Sequence, residues 1–261
     1  SIPHFSNDFF KRADTLSFED IAFEVGKHFF MPVVPENTLK SITQESFNSE
    51  VPIVELDKHL YALELFHGPT CAFKDFAAQF MARLFGFFAE RSKKEITILV
   101  ATSGDTGSAV AHGLLNVGGV KIIILYPSGK VSPLQEKQLT GMGGNITALE
   151  VQGTFDDCQK LVKQAFLDKE LRKEVVLASA NSINIARLLP QSFYYVYLCA
   201  QLSKKGLPIV ISVPSGNFGN LTAGIIAKRM GAPISKFVAS TNSNDIVPKY
   251  LDTGNFQPKS S

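Results

Sequence analysis

Tryptophan is absent from the 261 residues, and only three cysteines are present. Cys71, Cys158 and Cys199 lie far apart, are odd in number and form no CxxC pair, which argues against a disulfide framework or a zinc site and fits a reducing compartment such as the cytoplasm. Neither sign of charge dominates: 26 Lys and Arg face 24 Asp and Glu, so no polybasic or polyacidic surface is expected, and nothing calls for a nucleic-acid partner. No apolar run approaches the roughly 20 residues needed to cross a bilayer. The first residues carry no basic stretch followed by an apolar one, so no signal peptide is expected. Internal repeats and low-complexity tracts are also missing.

Apolar residues are plentiful. They make up 45% of the chain, with 21 phenylalanines, so a large phenylalanine-rich core is expected in one or two domains. Five short runs, 96–101 (ITILVA), 120–126 (VKIIILY), 175–178 (VVLA), 209–213 (IVISV) and 237–239 (FVA), are β-branched and continuous rather than alternating. That pattern suits strands covered on both faces. Helical periodicity separates them at 108–116, 133–140, 156–173, 185–204 and 221–230, and two more helices are expected at 7–12 and 17–29. Strands alternating with helices predict βαβ units and parallel sheets, an α/β fold behind a helical N-terminal lead-in. No helix is expected after 237–239, which would leave the last sheet face bare.

The segments that follow the strands are dense in hydroxyls, amides and glycine: 102–107 (TSGDTG), 127–130 (PSGK), 179–182 (SANS), 214–219 (PSGNFG) and 240–244 (STNSN). In open α/β sheets, ligands bind beyond the carboxyl ends of strands. The same residue types also make good turns and caps. The loop 214–219 carries most. Gly216 and Gly219 bracket Asn217-Phe218 just before a helix that takes in Asn220, so backbone N–H groups and a helix N-terminus converge on one spot. It is neither a Walker loop nor a complete GxGxxG fingerprint. A phosphate held without a nucleotide is the functional reading, and a plain glycine-rich βα turn the alternative.

Lys74 is the second candidate. The stretch 69–91 reads as a largely buried helix with Thr70 as its N-cap, and Lys74 sits in the first turn. Dipole and desolvation there both disfavour a charged amine, as Schiff-base chemistry requires. The alternative is a lysine that reaches solvent or pairs with Asp75. The loop 102–107 is the third, with Ser103, Asp105 and Thr106 beside a helix N-terminus suited to a substrate carboxylate. Arg187 could meet a second phosphate or be a surface arginine. His67 and His112 have no partner at metal or triad spacing and read as structural.

Together these segments resemble threonine synthases, fold-type II pyridoxal-phosphate enzymes. The stretch 67–75 (HGPTCAFKD) is similar to their cofactor-lysine motif, 102–107 to their substrate-carboxylate loop, and 214–220 (PSGNFGN) to their cofactor-phosphate loop. The stretches 126–137 (YPSGKVSPLQEK) and 179–187 (SANSINIAR) are similar as well. The resemblance implies two three-layer αβα domains: a helical segment 1–50, a large cofactor domain from 51–95 with 205–261, incomplete at its C-terminal end, and a small substrate domain 96–204. It implies that Lys74 holds pyridoxal 5'-phosphate covalently and that Gly216, Asn217, Phe218, Gly219 and Asn220 cradle its phosphate. Thr102, Ser103, Asp105 and Thr106 would bind substrate carboxylate or face the cofactor ring, and Asn184 and Arg187 the substrate phosphate. The implied reaction turns O-phospho-L-homoserine and water into L-threonine and phosphate, in a monomer or homodimer. A threonine dehydratase or cysteine synthase is the runner-up, and a non-catalytic phosphate-ligand binder the alternative from another class. Threonine synthases of this type are markedly longer, and the residue facing the pyridine nitrogen lies in a part of them with no counterpart here.

Overall fold

The computed structural model describes residues 2–181 and 184–257. Three helices lead in: α1 (Asn7–Arg12), α2 (Phe18–Phe30) and α3 (Glu36–Ser46). Ser17 caps α2 by accepting the Asp20 N–H. A hairpin, β1 (Ile53–Asp57) and β2 (Leu60–Leu63), then precedes the long helix α4 (Lys74–Ser92). The hairpin turns at Lys58-His59, with His59 in the left-handed region at φ 64°. That dipeptide lacks the Gly or Asn that marks such turns, which is why the sequence does not announce it.

The next eight elements build a four-stranded parallel sheet. They are β3 (Ile96–Ala101), α5 (Asp105–Leu114), β4 (Val120–Pro127), α6 (Pro133–Thr140) and β5 (Ile146–Val151), followed by α7 (Phe155–Leu167), α8 (Leu171–Glu174) and β6 (Val176–Ser179). The spatial order is β5-β4-β3-β6, all parallel. Every residue of central β3 is buried, as its continuous apolar run predicts. Strand β5 was not expected: an edge strand, it mixes exposed and covered positions instead of running apolar. The single helix expected at 156–173 splits, because Asp168 is extended at ψ 111° and its Oδ1 accepts the N–H groups of Glu170 and Leu171.

The helix expected at 185–204 breaks at Pro190 into α9 (Ile185–Leu188), a 3-10 turn at Leu189–Ser192 and α10 (Phe193–Leu202). A second parallel pair follows, β7 (Ile209–Pro214) and β8 (Ile234–Ser240), around α11 (Gly219–Arg229). After β8 comes α12 (Ile246–Thr253), where the sequence reading placed none. Its Pro248 at the third position obscures the pattern, and none of its residues is buried.

Helix α4 lies between two cores. Its Phe76, Phe80 and Leu84 join Phe10, Phe18, Phe47 and Phe193 in the phenylalanine core that unites the lead-in helices with α10, α11 and β7. Its Ala78, Met81, Ala82 and Ala89 pack instead on β3, β4 and α5. Phe47 and Phe80 stack at 5.8 Å with 7° between planes. Each fully buried phenylalanine contributes about 1.5–3 kcal/mol, so this one helix locks the two sheets to a common frame. All three cysteines are unpaired. Among the described residues, no helix is long and apolar enough to cross a membrane.

Candidate active site

Lys74 is the first residue of α4, not the fourth after a Thr70 cap. The preceding turn is folded on itself: Cys71 adopts φ 56° and its N–H reaches the Gly68 carbonyl at 3.0 Å. Thr70 does not cap the helix but donates. Its N–H and hydroxyl both bind the Asp75 carboxylate, at 2.8 and 2.5 Å. Asp75 is buried and faces Arg187 electrostatically, so the expected alternative of a Lys74–Asp75 pair gives way to a different one. Lys74 Nζ meets Asp105 Oδ2 at 3.1 Å, across from the first turn of α5. Asp105 supplies the counter-charge that a helix N-terminus withholds from a cation.

Gly68 shows how tightly this turn is built. A Cβ there would lie 2.5 Å from Asp75 Oδ2. Gly68→Ala is therefore expected to push Asp75 off Thr70 and lower the melting temperature by several degrees, the result of about 1–3 kcal/mol lost in a buried, charge-assisted pair. An unchanged melting temperature would show that the turn relaxes freely.

The loop 102–107 divides its labour. Thr102 is buried, and its hydroxyl accepts the N–H groups of Gly104 and Gly107 at 3.0 and 2.8 Å, so it staples the loop. Asp105 is bound by Lys74 and by Gln135 Nε2 at 2.5 Å. An ammonium and an amide N–H2 thus converge on this one carboxylate. Thr102, Ser103 and Thr106 all stand on the wall of a cavity of about 730 Å3.

That cavity gathers residues from distant segments. Lys74, Ser103 and Thr106 share it with Ser179, Asn181 and Asn217, and α7 contributes Phe155, Gln159, Val162, Lys163, Phe166 and Leu167. The loop before α11 is bent through Phe218, left-handed at φ 58° and ψ 9°. For a bulky residue such a conformation stores strain of the kind found at ligand sites. It leaves the first N–H groups of α11 without intrahelical acceptors. A Cβ on Gly216 would meet nothing within 4 Å, so no neighbour in the protein demands glycine there. Asn220 turns its side chain the other way: its Oδ1 accepts both the Tyr194 and Tyr195 hydroxyls at 2.7 Å. Burial pushes both phenols upward, Tyr194 well above its ordinary value, so both are held as donors.

Asn184 and Arg187 are not on the cavity wall. Asn184 caps α9 by accepting the Ala186 N–H, and its Nδ2 donates to the Ser179 carbonyl at 2.7 Å. Arg187, expected near a phosphate or at the surface, is 1% exposed and gives Nη1 to the Ala180 carbonyl at 2.5 Å. Burial pushes its guanidinium down to about 10, against the pull of Asp75. Residues 182 and 183 of the SANSINIAR segment lie outside the described residues. His67 pairs with Glu64 at 2.7 Å as a structural histidine does, and His112 is exposed. The sequence reading singled out neither Gln135, Gln159 nor Lys163. The last two stand four apart on a helix whose Cys158 and Val162 are buried, a spacing that could have marked them.

A family model described as pyridoxal-phosphate dependent enzyme matches residues 48–261. The chain belongs to this family. A second model, threonine synthase N terminus, matches residues 1–47. The chain is 55% identical over 229 residues to the threonine synthase of Haemophilus influenzae, an alignment covering 87% of this chain and 53% of that one. It superposes on the threonine synthase of Escherichia coli with a TM-score of 0.91 at 45% identity, covering 100% of this chain and 60% of that one. The pyridoxal-phosphate-bound threonine synthase of Brucella melitensis gives 0.90 at 36% identity, over 100% and 57% of the respective chains. The enzyme thus spans just over half the length of these relatives, and its fold is the α/β fold-type II architecture with parallel sheets and a helical N-terminus. The residues present fit the cofactor. A lysine stands on a cavity wall with the Asn217 loop, Gly216 leaves open space, and a helix N-terminus offers backbone donors to a phosphate.

Proposed function

We propose that this chain carries threonine synthase chemistry, the conversion of O-phospho-L-homoserine and water to L-threonine and phosphate. The observation that supports it most is the convergence of Lys74, Ser103, Thr106 and Asn217 on one cavity, from three segments similar to those of the same family. Lys74 would hold pyridoxal phosphate through Nζ, and the N–H groups of Gly216, Asn217, Phe218, Gly219 and Asn220 would receive its phosphate. When bound, the cofactor serves as the electron sink that makes the substrate α-proton acidic. Once the substrate amine has displaced it from the cofactor, the freed Lys74 Nζ would take that proton and help move one at the β-carbon, while Asp105 Oδ2, 3.1 Å away, would steady the amine whenever it carries the extra proton. Ser103, Thr106 and the first N–H groups of α5 bind the substrate carboxylate. Phe155, Val162 and Phe166 keep bulk water from the reacting carbons.

The same reading includes a small substrate domain at 96–204 and a large cofactor domain at 51–95 with 205–261 behind the helical segment 1–50. It also includes a cytoplasmic location and a monomer or homodimer. A threonine dehydratase, a cysteine synthase or a non-catalytic binder would share the scaffold. Phosphate release assayed with O-phospho-L-homoserine, L-serine and L-threonine separates them. Release from the first, with no turnover of the others, is expected. Deamination of serine or threonine without phosphate release would overturn the proposal, and a chain with no borohydride-sensitive absorbance near the cofactor band would be a binder.

A further inference from the structure

The segment 126–137 (YPSGKVSPLQEK) takes no part in the proposed chemistry, yet it delivers one side chain to the counter-ion of Lys74. Gln135, half-buried in the first turn of α6, donates through Nε2 to Asp105 Oδ1 at 2.5 Å. The other oxygen of that carboxylate, Oδ2, accepts from Lys74 Nζ at 3.1 Å. Ser132 closes the chain at its far end. Its hydroxyl donates to Gln135 Oε1 at 3.1 Å, which turns the N–H2 side of the amide toward Asp105. Among the described residues Asp105 has no other polar partner.

Packing fixes the direction of Gln135. Leu139 follows it by four residues and so shares its face of α6. Leu139 is buried with Ala109 and Val110 of α5, and a Cβ on Gly107 would lie 2.7 Å from its Cδ2. The same face lays Gln135 on Gly104, whose φ of 138° is a glycine conformation, and a Cβ there would collide with the Gln135 amide. The amide thus fills the place that a side chain at 104 would take. Asp105 is the first residue of α5. A carboxylate there is drawn back onto the free N–H groups and positive dipole end of its own helix. The bond from Gln135 opposes that retraction and leaves Oδ2 to Lys74. Other charged groups nearby are engaged elsewhere. Asp75 is bound by Thr70, and Glu136 accepts the Tyr126 hydroxyl at 3.4 Å. Lys163 shares the cavity wall but makes no ion pair among the described residues.

We propose that Gln135 is a positioning residue for Lys74 and acts through Asp105. Its amide holds the carboxylate where it pairs with the Lys74 ammonium and keeps it from folding back onto α5. The effect on turnover rests on the threonine synthase reading, and the effect on the amine rests on the Lys74–Asp105 pair alone. A displacement of about 1 Å at a catalytic group can cost on the order of 10²-fold in rate. One bond at a half-exposed carboxylate therefore governs the rate while contributing little to stability.

The test is a double-mutant cycle of Gln135→Met and Asp105→Asn, read in two ways. In the cofactor-free enzyme, the rate at which Lys74 captures pyridoxal at neutral pH is followed by borohydride reduction and peptide mapping. A loosened carboxylate favours the ammonium less, so more of the amine is neutral, and Gln135→Met should capture the aldehyde about threefold faster or more. In the cofactor-loaded enzyme, kcat with O-phospho-L-homoserine should fall about tenfold or more, with the melting temperature within about 4 °C of wild type. Asp105→Asn should move both rates in the same directions and at least as far. Adding Gln135→Met to Asp105→Asn should then change neither. Ser132→Ala, which frees the amide to turn over, should show the same pattern with smaller amplitude. General damage to the fold would slow both rates, so their opposite movement is the signature of the chain through Asp105. Capture and turnover that fall together, or both stay unchanged, in Gln135→Met would overturn the assignment. So would an undiminished effect of Gln135→Met in the Asp105→Asn background. If the wild-type enzyme releases no phosphate, the threonine synthase reading falls by itself, and aldehyde capture across the same four proteins still decides whether Gln135 acts on Lys74 through Asp105.

Discussion

Lys74→Ala is expected to abolish covalent attachment of pyridoxal phosphate while leaving the fold in place. Borohydride reduction of the wild-type enzyme should fix one cofactor equivalent on the peptide that contains Lys74, and the variant should show none. Loss of the acid–base amine alone is worth about 10²–10⁴ in rate, so phosphate release should fall at least that far. Stability should barely change. The side chains of Lys74 and Asp105 are 24% and 51% exposed, and a pair so placed contributes about 0–1 kcal/mol. Removing a cation from the first residue of α4 also relieves a dipole clash that offsets part of that loss. Lys74→Arg sharpens the test. It retains the charge beside Asp105 but cannot form the covalent bond, so it should match alanine in cofactor loss and wild type in melting temperature. Reduced cofactor found on any other lysine would sink the assignment.

How much of this was legible beforehand depends on what kind of signal each part leaves. The inner strands β3 and β4 announce themselves because burial on both faces favours an unbroken apolar run. Strand β5 and the β1–β2 hairpin leave no such trace, since half-exposed strands and a Lys58-His59 turn look like ordinary loop. The placement of Lys74 and of the Gly216–Asn220 loop was readable because its signal is local: a lysine at a helix start, and glycines at a strand-to-helix turn. The roles of Thr102 and Asp105 were not. Thr102 is consumed by bonds to Gly104 and Gly107, and Asp105 meets Lys74 across 31 positions of sequence. Neither fact has a local signature. The burial of Arg187, which excludes the surface alternative, has no local signature either, as it follows from how α9 packs on α4.

The other large effect is expected at Asn220. Two buried phenols, Tyr194 and Tyr195, share its single Oδ1 at 2.7 Å each. Both are kept protonated by burial, so each must donate somewhere. Asn220→Ala removes the one acceptor of both phenols, and each orphaned buried hydroxyl costs about 1–3 kcal/mol, so chemical denaturation should show a loss of about 2–5 kcal/mol. Tyr194→Phe or Tyr195→Phe should each cost far less, about 1 kcal/mol, because one donor still serves the amide oxygen. The damage should also reach the site. Asn220 is the second residue of α11, so the bond pair fixes the helix end that follows the strained Phe218. Tyr194 in turn lies edge-on to Phe76, two residues from Lys74, with ring centroids 6.5 Å apart. Affinity for pyridoxal phosphate should fall in Asn220→Ala while affinity for pyridoxal, which lacks the phosphate, should hold in whatever fraction stays folded. Asn220→Asp separates the two consequences. Its carboxylate can accept from both tyrosines and preserve stability, yet a negative charge beside the loop should weaken binding of the phosphate. Equal losses for pyridoxal phosphate and pyridoxal in Asn220→Ala would mean that the tyrosine pair supports the core alone and leaves the loop to set itself.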